Sequence, residues 1–223
     1  MSTPHYSVVE MSEADVEQER EVLGGLAASV RQLADASLRS TIPLDEIAEI
    51  RAAVDVLTER LRREQIEGSF GVSFTPGGTV RGHGNAVVGL RNPIAVPLDI
   101  RKDDDGRATA EFTLGALYEG PPGCVHGGVL ALLLDQVLGE CAAASGSPGM
   151  TGTLTLRYVR PTPLGDCSIE AWVDRVERVK TFVRGELRNA DGDPTVEVEG
   201  IFILPRWARQ ALEKEGRKPP RFE

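Results

Sequence analysis

The chain has 223 residues, 41% of them hydrophobic and 26% charged, which suits one core of ordinary size with an appendage and excludes a disordered or fibrous chain. A formal net charge of −9 and a pI near 5.0 argue against nucleic-acid binding, which draws on a basic face, while leaving room for a local basic patch. Three widely spaced cysteines, Cys124, Cys141 and Cys167, point to a reducing cytoplasm rather than a disulfide framework, and the opening MSTPHYSVVEMSEADVE carries no signal-peptide pattern.

In chain order, residues 1–66 read as a helical extension, 67–79 as a linker, 80–205 as the main domain and 206–223 as a tail. Ser12-Glu13-Ala14-Asp15 has the form of a capping box, with Asp in place of the preferred Glu or Gln. Val16, Leu23, Leu26, Val30, Leu33 and Leu38 then recur at helical spacing. Gly24-Gly25 disfavours that helix by about 1 kcal/mol per glycine relative to alanine, and a kink is expected there. Ser40-Thr41-Ile42-Pro43 breaks the run. Asp45-Glu46 supply the negative first turn of a second helix, marked by Leu44, Ile47, Val54, Leu57 and Leu61. The pair is expected to form a helical hairpin that covers an apolar flank or extends a subunit interface, with a lid over a pocket as the alternative. Arg60, Arg62 and Arg63 read as a solvated helix end.

Residues 67–95 are Gly-rich and read as irregular, with one short strand allowed near Val87 to Leu90. His83 stands alone, and with no HExxH or CxxC no metal site is expected. Gly82-His83-Gly84 lacks the third glycine of a dinucleotide fingerprint. Ser145-Gly146-Ser147-Pro148-Gly149 only approximates a nucleophile elbow and follows a helix rather than a strand. Strands are expected at Ala95 to Arg101 and Arg107 to Leu117, around the turn Asp103 to Gly106. A helix follows between Cys124 and Ala144. Leu154, Leu156 and Tyr158 then alternate with Thr153, Thr155 and Arg157, the period of a half-buried strand. Ser168 to Glu177, Thr181 to Asn189 and Thr195 to Leu204 complete the set. Two strands, a helix and four strands give an α+β layout, an antiparallel sheet wrapped around a central helix. The tail RWARQALEKEGRKPP reads as a short surface helix docked by Trp207 and Leu212.

The central helix carries the chemistry. It is apolar nearly all round, so it belongs inside a protein. It is also long enough to suggest a membrane span, against which its polar start and Asp135 both argue. A carboxylate among Leu132, Leu133, Leu134, Val137 and Leu138 needs a partner: a neighbouring backbone or hydroxyl group, or a wet helix edge, accounts for it without any function. At the helix start, His126-Gly127-Gly128 leaves backbone N–H groups open where the helix dipole is positive, which suits an anion or a developing oxyanion. His126 and Asp135 are nine positions apart, hence roughly 13 Å apart and on opposite faces. Gly127, reckoned with His126, is likewise set opposite Asp135. One small site can use both ends only if two chains share it, so a dimer is expected.

The run HGGVLALLLD, preceded by GPPGCV and followed by MTGTLTLRYVRPTPLGD, resembles the hot-dog-fold acyl-CoA thioesterases of the PaaI-like branch, over about residues 80 to 204. Some relatives carry an Asn six residues before the His, where this chain has Gly120; this bears more on the substrate than on the reaction class. The resemblance implies hydrolysis of an acyl-CoA, or another pantetheine thioester, to a carboxylic acid and a thiol, without a cofactor. It implies Asp135 as general base or nucleophile, Gly127 N–H of the partner subunit as oxyanion donor, and Thr151 as a positioning hydroxyl. His126 braces the loop and Gly128 lines the substrate. Among Arg157, Arg160, Arg178, Lys180 and Arg184, the pair Arg178 and Lys180, with Arg160, is expected to meet CoA phosphates; an ordinary solvated sheet edge is the plain alternative. The implied assembly is a homodimer with shared sites, or a dimer of dimers. A non-catalytic acyl-CoA-binding or regulatory protein on the same scaffold is the alternative function. Hydration of an enoyl-CoA is disfavoured by the missing Asp-x-x-x-x-His spacing.

Overall fold

The computed structural model describes residues 6–76, 80–96, 98–103, 106–146 and 148–206. The chain divides into two compact units, Met1–Ala95 and Val96–Glu223.

The first unit contains Tyr6–Val8 (β1), Glu13–Arg39 (α1), Leu44–Arg62 (α2), Val72–Phe74 (β2) and Val80–Arg81 (β3). The capping box closes at Ser12: its hydroxyl accepts from Asp15 N at 3.2 Å, and the Asp15 carboxylate accepts from Ser12 N at 3.2 Å. α1 runs uninterrupted through Gly24-Gly25 rather than breaking there. A Cβ on Gly24 would lie 2.7 Å from Leu90 Cδ1, so glycine serves close packing at that position. The stretch expected to be irregular holds β2 and β3, which join β1 in a three-stranded sheet of order β1-β2-β3. These strands are two or three residues long, too short to show a period. Buried Arg81 ties them to α1, pairing with Glu19 and donating to Ser73 Oγ at 3.0 Å. The strand allowed near Val87 to Leu90 does not form. Asn85 Oδ1 accepts from Val87 N at 2.7 Å and Val88 N at 3.0 Å, which takes the donors a ladder would need.

The second unit contains Arg101–Lys102 (β4), Arg107–Leu114 (β5), a 3-10 turn at Ala116–Tyr118, Gly127–Ala144 (α3), Met150–Tyr158 (β6), Gly165–Glu177 (β7), Lys180–Asn189 (β8) and Pro194–Ile203 (β9). The six strands form one antiparallel sheet of order β4-β5-β7-β8-β9-β6, packed against α3 as the hot-dog fold requires. The strand expected from Ala95 shrinks to β4, because Ala95 N donates to Asn92 O and Leu98 N to Val96 O in local turns. The expected strand to Leu117 ends at Leu114, where the 3-10 turn takes over. The tail helix, with Trp207 and Leu212, lies outside the described residues.

The core follows from strand alternation. Ala108, Ala110, Phe112 and Leu114 of β5, Ile169 and Ala171 of β7, Val183 and Leu187 of β8, and Val196, Val198 and Phe202 of β9 are all buried. α3 buries Leu130, Leu133, Leu134, Val137, Leu138, Cys141 and Ala142, a stripe at helical spacing. By length and composition α3 could cross a membrane, yet this stripe packs on the inner face of the sheet. Each leucine so buried contributes about 1.5–3 kcal/mol. Two glycines let the helix sit close. A Cβ on Gly185 would lie 2.9 Å from Glu170 O and 3.0 Å from Leu138 Cδ1, and one on Gly200 would lie 3.0 Å from Leu138 Cδ2. Leu138 thus occupies space that side chains on β8 and β9 would fill. Gly185→Ala should therefore destabilise the protein by about 1–3 kcal/mol through overpacking. Thermal denaturation should register a fall of several degrees, at about 2–4 °C per kcal/mol; an unchanged midpoint would show that the contact yields without cost.

Candidate active site

The loop leading to α3 is fixed by its own backbone. Gly120 N donates to Cys124 O at 2.9 Å, Cys124 N to Pro121 O at 2.9 Å, and Gly123 N to the Glu119 carboxylate at 2.7 Å. Val125 N and His126 N then donate to Thr162 O and Tyr118 O, each at 2.9 Å. A Cβ on Gly120 would lie 2.7 Å from His126 Cα, so the loop passes His126 only as glycine.

His126 is the N-cap of α3. Its Nδ1 accepts from Gly128 N at 3.0 Å, which places the neutral ring's proton on Nε2. Gly128 N–H is thereby committed, and a Cβ on Gly128 would lie 3.2 Å from the His126 ring. Gly127 is the first helical residue, and its N–H has no acceptor among the described residues. The Gly127 carbonyl accepts from the Tyr158 hydroxyl at 2.9 Å. The Tyr158 ring lies 3.3 Å from where a Gly127 Cβ would stand.

Asp135 sits on the open side of α3, half-buried, three residues beyond Leu132, which is 43% exposed. Thr151 Oγ1 donates to Asp135 Oδ1 at 2.7 Å, while Oδ2 has no hydrogen bond among the described residues. The nine-residue separation belongs to His126; Gly127 is eight residues before Asp135, about 80° around the helix and about 12 Å along it. Distance along the axis, not opposition of faces, is what keeps them apart. A carbonyl carbon in reaction must lie within about 3–3.5 Å of its attacking atom, so one chain cannot present both groups to it.

Two residues that the sequence reading left without a role shape this site. Gly152 is the extra residue of a β-bulge, since Thr151 pairs with Phe202 and Thr153 with Ile201. Thr151 therefore shares the inward face with Leu154, Leu156 and Tyr158, which pair with Gly200, Val198 and Val196. Without the bulge, Thr151 and Tyr158 would face opposite ways. A lone glycine inside an alternating strand was the available signal. Tyr158 is the other residue, visible in the sequence as one member of the alternation and as part of the run that carries the resemblance, with no role assigned to it.

Among the basic residues, Arg160 pairs with Asp193 at 2.7 Å, Arg157 with Glu197, and Arg184 with Glu199 at 3.2 Å. Arg178 and Lys180 have no carboxylate partner among the described residues. Arg178 lies in the two-residue turn between β7 and β8, with φ 57°, and Lys180 follows it as the first residue of β8. Cys141 and Cys167 are buried free thiols, both pushed up to about 11, chiefly by burial, and Cys124 is a half-buried free thiol. Chemically, the arrangement offers a carboxylate oriented by one hydroxyl and an open N–H at a helix start, the groups that acyl transfer uses.

Comparison with known proteins agrees with this geometry. The thioesterase superfamily profile matches residues 122–196. The acyl-coenzyme A thioesterase THEM4 of Bos taurus is 34% identical over 107 residues, 46% of this chain and 43% of its own length. THEM4 of Xenopus laevis is 36% identical over 99 residues, 44% of this chain and 45% of its own. The chain thus spans under half the length of these curated relatives. A crystal structure of a thioesterase superfamily protein is 32% identical and superposes with a TM-score of 0.73, covering 82% of this chain and 90% of that one. A likeness of that extent, joined to a sheet wrapped on α3 and an Asp135–Thr151 pair, makes this chain a member of the thioesterase superfamily.

Proposed function

We propose that the protein is an acyl-CoA thioesterase, hydrolysing an acyl-CoA or related pantetheine thioester to a carboxylic acid and a thiol. The observation that carries this reading is the 2.7 Å bond from Thr151 to Asp135, which orients one carboxylate oxygen and leaves the other open. Asp135 acts in one of two ways. As general base it takes a proton from water while the water oxygen adds to the thioester carbonyl. As nucleophile it attacks that carbon itself, and water then cleaves the mixed anhydride. In both, the carbonyl oxygen becomes an oxyanion, the C–S bond breaks, and the sulfur leaves as thiolate and takes up a proton. The Gly127 N–H, open at the start of α3, receives the oxyanion; loss of such a donor costs about 2.7–4 kcal/mol of transition-state stabilisation in other enzymes.

The 12 Å between these groups supports a homodimer in which Gly127 of one subunit faces Asp135 of the other; a dimer of dimers would preserve the same pairing. Two surfaces favour it. β6 is an edge strand of nine residues with one ladder side open, and Leu132 stands exposed beside Asp135. Arg178 and Lys180, without a carboxylate partner among the described residues, are the groups we read as meeting CoA phosphates. Three free thiols suit a reducing compartment, and we assign the protein to the cytoplasm.

The test is a thiol-release assay with an acyl-CoA panel. Asp135→Asn, nearly isosteric, should abolish turnover and retain acyl-CoA binding; a wild-type rate would make Asp135 structural. Thr151→Ala should slow turnover less. Gly127→Pro removes the N–H at the first helical position, which suits proline's φ, but its ring would press on Tyr158, so the fold of the variant is confirmed first. Mixed with Asp135→Asn, it should restore up to about half the wild-type activity per heterodimer, because one site of the two escapes both defects. Heterodimers that form, as checked by tagged co-purification, and stay inactive would refute site sharing.

Substrate recognition has its own readout. Replacing Arg178 and Lys180 together by Gln should raise KM for an acyl-CoA roughly tenfold at low salt. KM for the matching acyl-pantetheine, which lacks the phosphates, should not move. Equal effects on both substrates would place the two residues outside phosphate recognition.

A further inference from the structure

We infer that Tyr158 is a positioning residue for the oxyanion donor, holding the Gly127–Gly128 peptide from the sheet; this rests on the thioesterase reading above. The argument begins with the donor's identity. Glycine has the freest backbone of any residue, so a glycine N–H points in a fixed direction only if its surroundings hold it. Two peptide planes meet at Gly127. The carbonyl of the first, His126 O, accepts from Val129 N at 2.9 Å and Leu130 N at 3.3 Å, so the helix holds that plane. The second plane, between Gly127 and Gly128, is held at both ends. Its N–H donates to His126 Nδ1 at 3.0 Å, and its carbonyl accepts from the Tyr158 hydroxyl at 2.9 Å.

His126 belongs to the loop that it braces. Tyr158 belongs to β6, paired to β9 across most of its length. Its hydroxyl therefore ties the carbonyl side of Gly127, the peptide next to the donor N–H, to the sheet, and so fixes the glycine's second dihedral where the helix fixes its first plane. The same strand, through the Gly152 bulge, also aims Thr151 at Asp135. Both positions of α3 that the proposed chemistry uses, its start and its middle, are thus referenced to one strand. The Tyr158 ring is 52% exposed, too open to be a main support of the core. Its contact with Gly127 also explains the glycine, since a Cβ would press to 3.3 Å on the ring.

Tyr158→Phe keeps the ring and removes only the hydroxyl. In the full-length protein, kcat for a hydrolysed acyl-CoA should fall roughly 10- to 100-fold, the scale of a small misplacement at a reacting centre. KM should stay within about twofold, because ground-state binding does not use this bond. Amide hydrogen exchange in peptides spanning 125–131 should quicken about tenfold, with β7 and β8 unchanged. An unchanged kcat, an equal rise in KM, or a loss of protection throughout the unit would each overturn the inference. If the wild-type protein hydrolyses no thioester, the functional reading fails by itself. Exchange then decides for Tyr158: local quickening upholds the tie, and unchanged exchange removes it.

Discussion

Side chains alternate along a strand, so residues seven apart face opposite sides. Thr151 and Tyr158 are seven apart, and both reach α3. The register resolves the conflict at one residue, Gly152, which bulges and shifts the parity of the strand. The bonds of Thr151 to Asp135 and of Tyr158 to Gly127 both depend on that shift. Without it, either the carboxylate loses its hydroxyl or the start of the helix loses its tie. A bulge in a strand beside a reacting centre is a means of aiming a side chain, and here it aims two.

The helix can be aimed only because it is seated. Leu138 fits where Gly185 and Gly200 carry no side chain, and the stripe from Leu130 to Ala142 fills the inner face of the sheet. That stripe sets the rotation of α3 about its axis. The rotation leaves Leu132 and Asp135 on the side away from the core, half in reach of solvent. Packing and chemistry thus divide one helix lengthwise: apolar contacts fix its angle, and the angle presents the carboxylate.

Much of this was legible from residue pattern. The alternation of β5 to β9 and the apolar run of α3 gave the layers, because each element is long enough to show its period. Asp135 and the His126-Gly127 helix start stood out from their surroundings, while Thr151, which bonds Asp135, entered only through the resemblance. What escaped was short or local. β1, β2 and β3 have too few residues for a period. The strand expected from Ala95 was lost to turns whose bonds pair near neighbours. The bulge at Gly152 reverses the facing of Thr151, which alternation alone assigns to the outside. Gly24 has a partner that the pattern does not show: its absent side chain makes room for Leu90, far along the chain.

The contact of Gly120 with His126 has a consequence for how such a loop can change. A side chain at 120 meets the backbone of His126, not a flexible tip, so it cannot be accommodated by a rotamer change. Substituting His126 first would leave Gly128 N–H without its cap. Each single step is therefore unfavourable, while a paired replacement can trade one bracing scheme for another. A side chain at 120 with His kept at 126, as in the relatives that carry Asn there, therefore requires the backbone between the two positions to take another path, so the loop's course and not a single rotamer is what such a substitution changes.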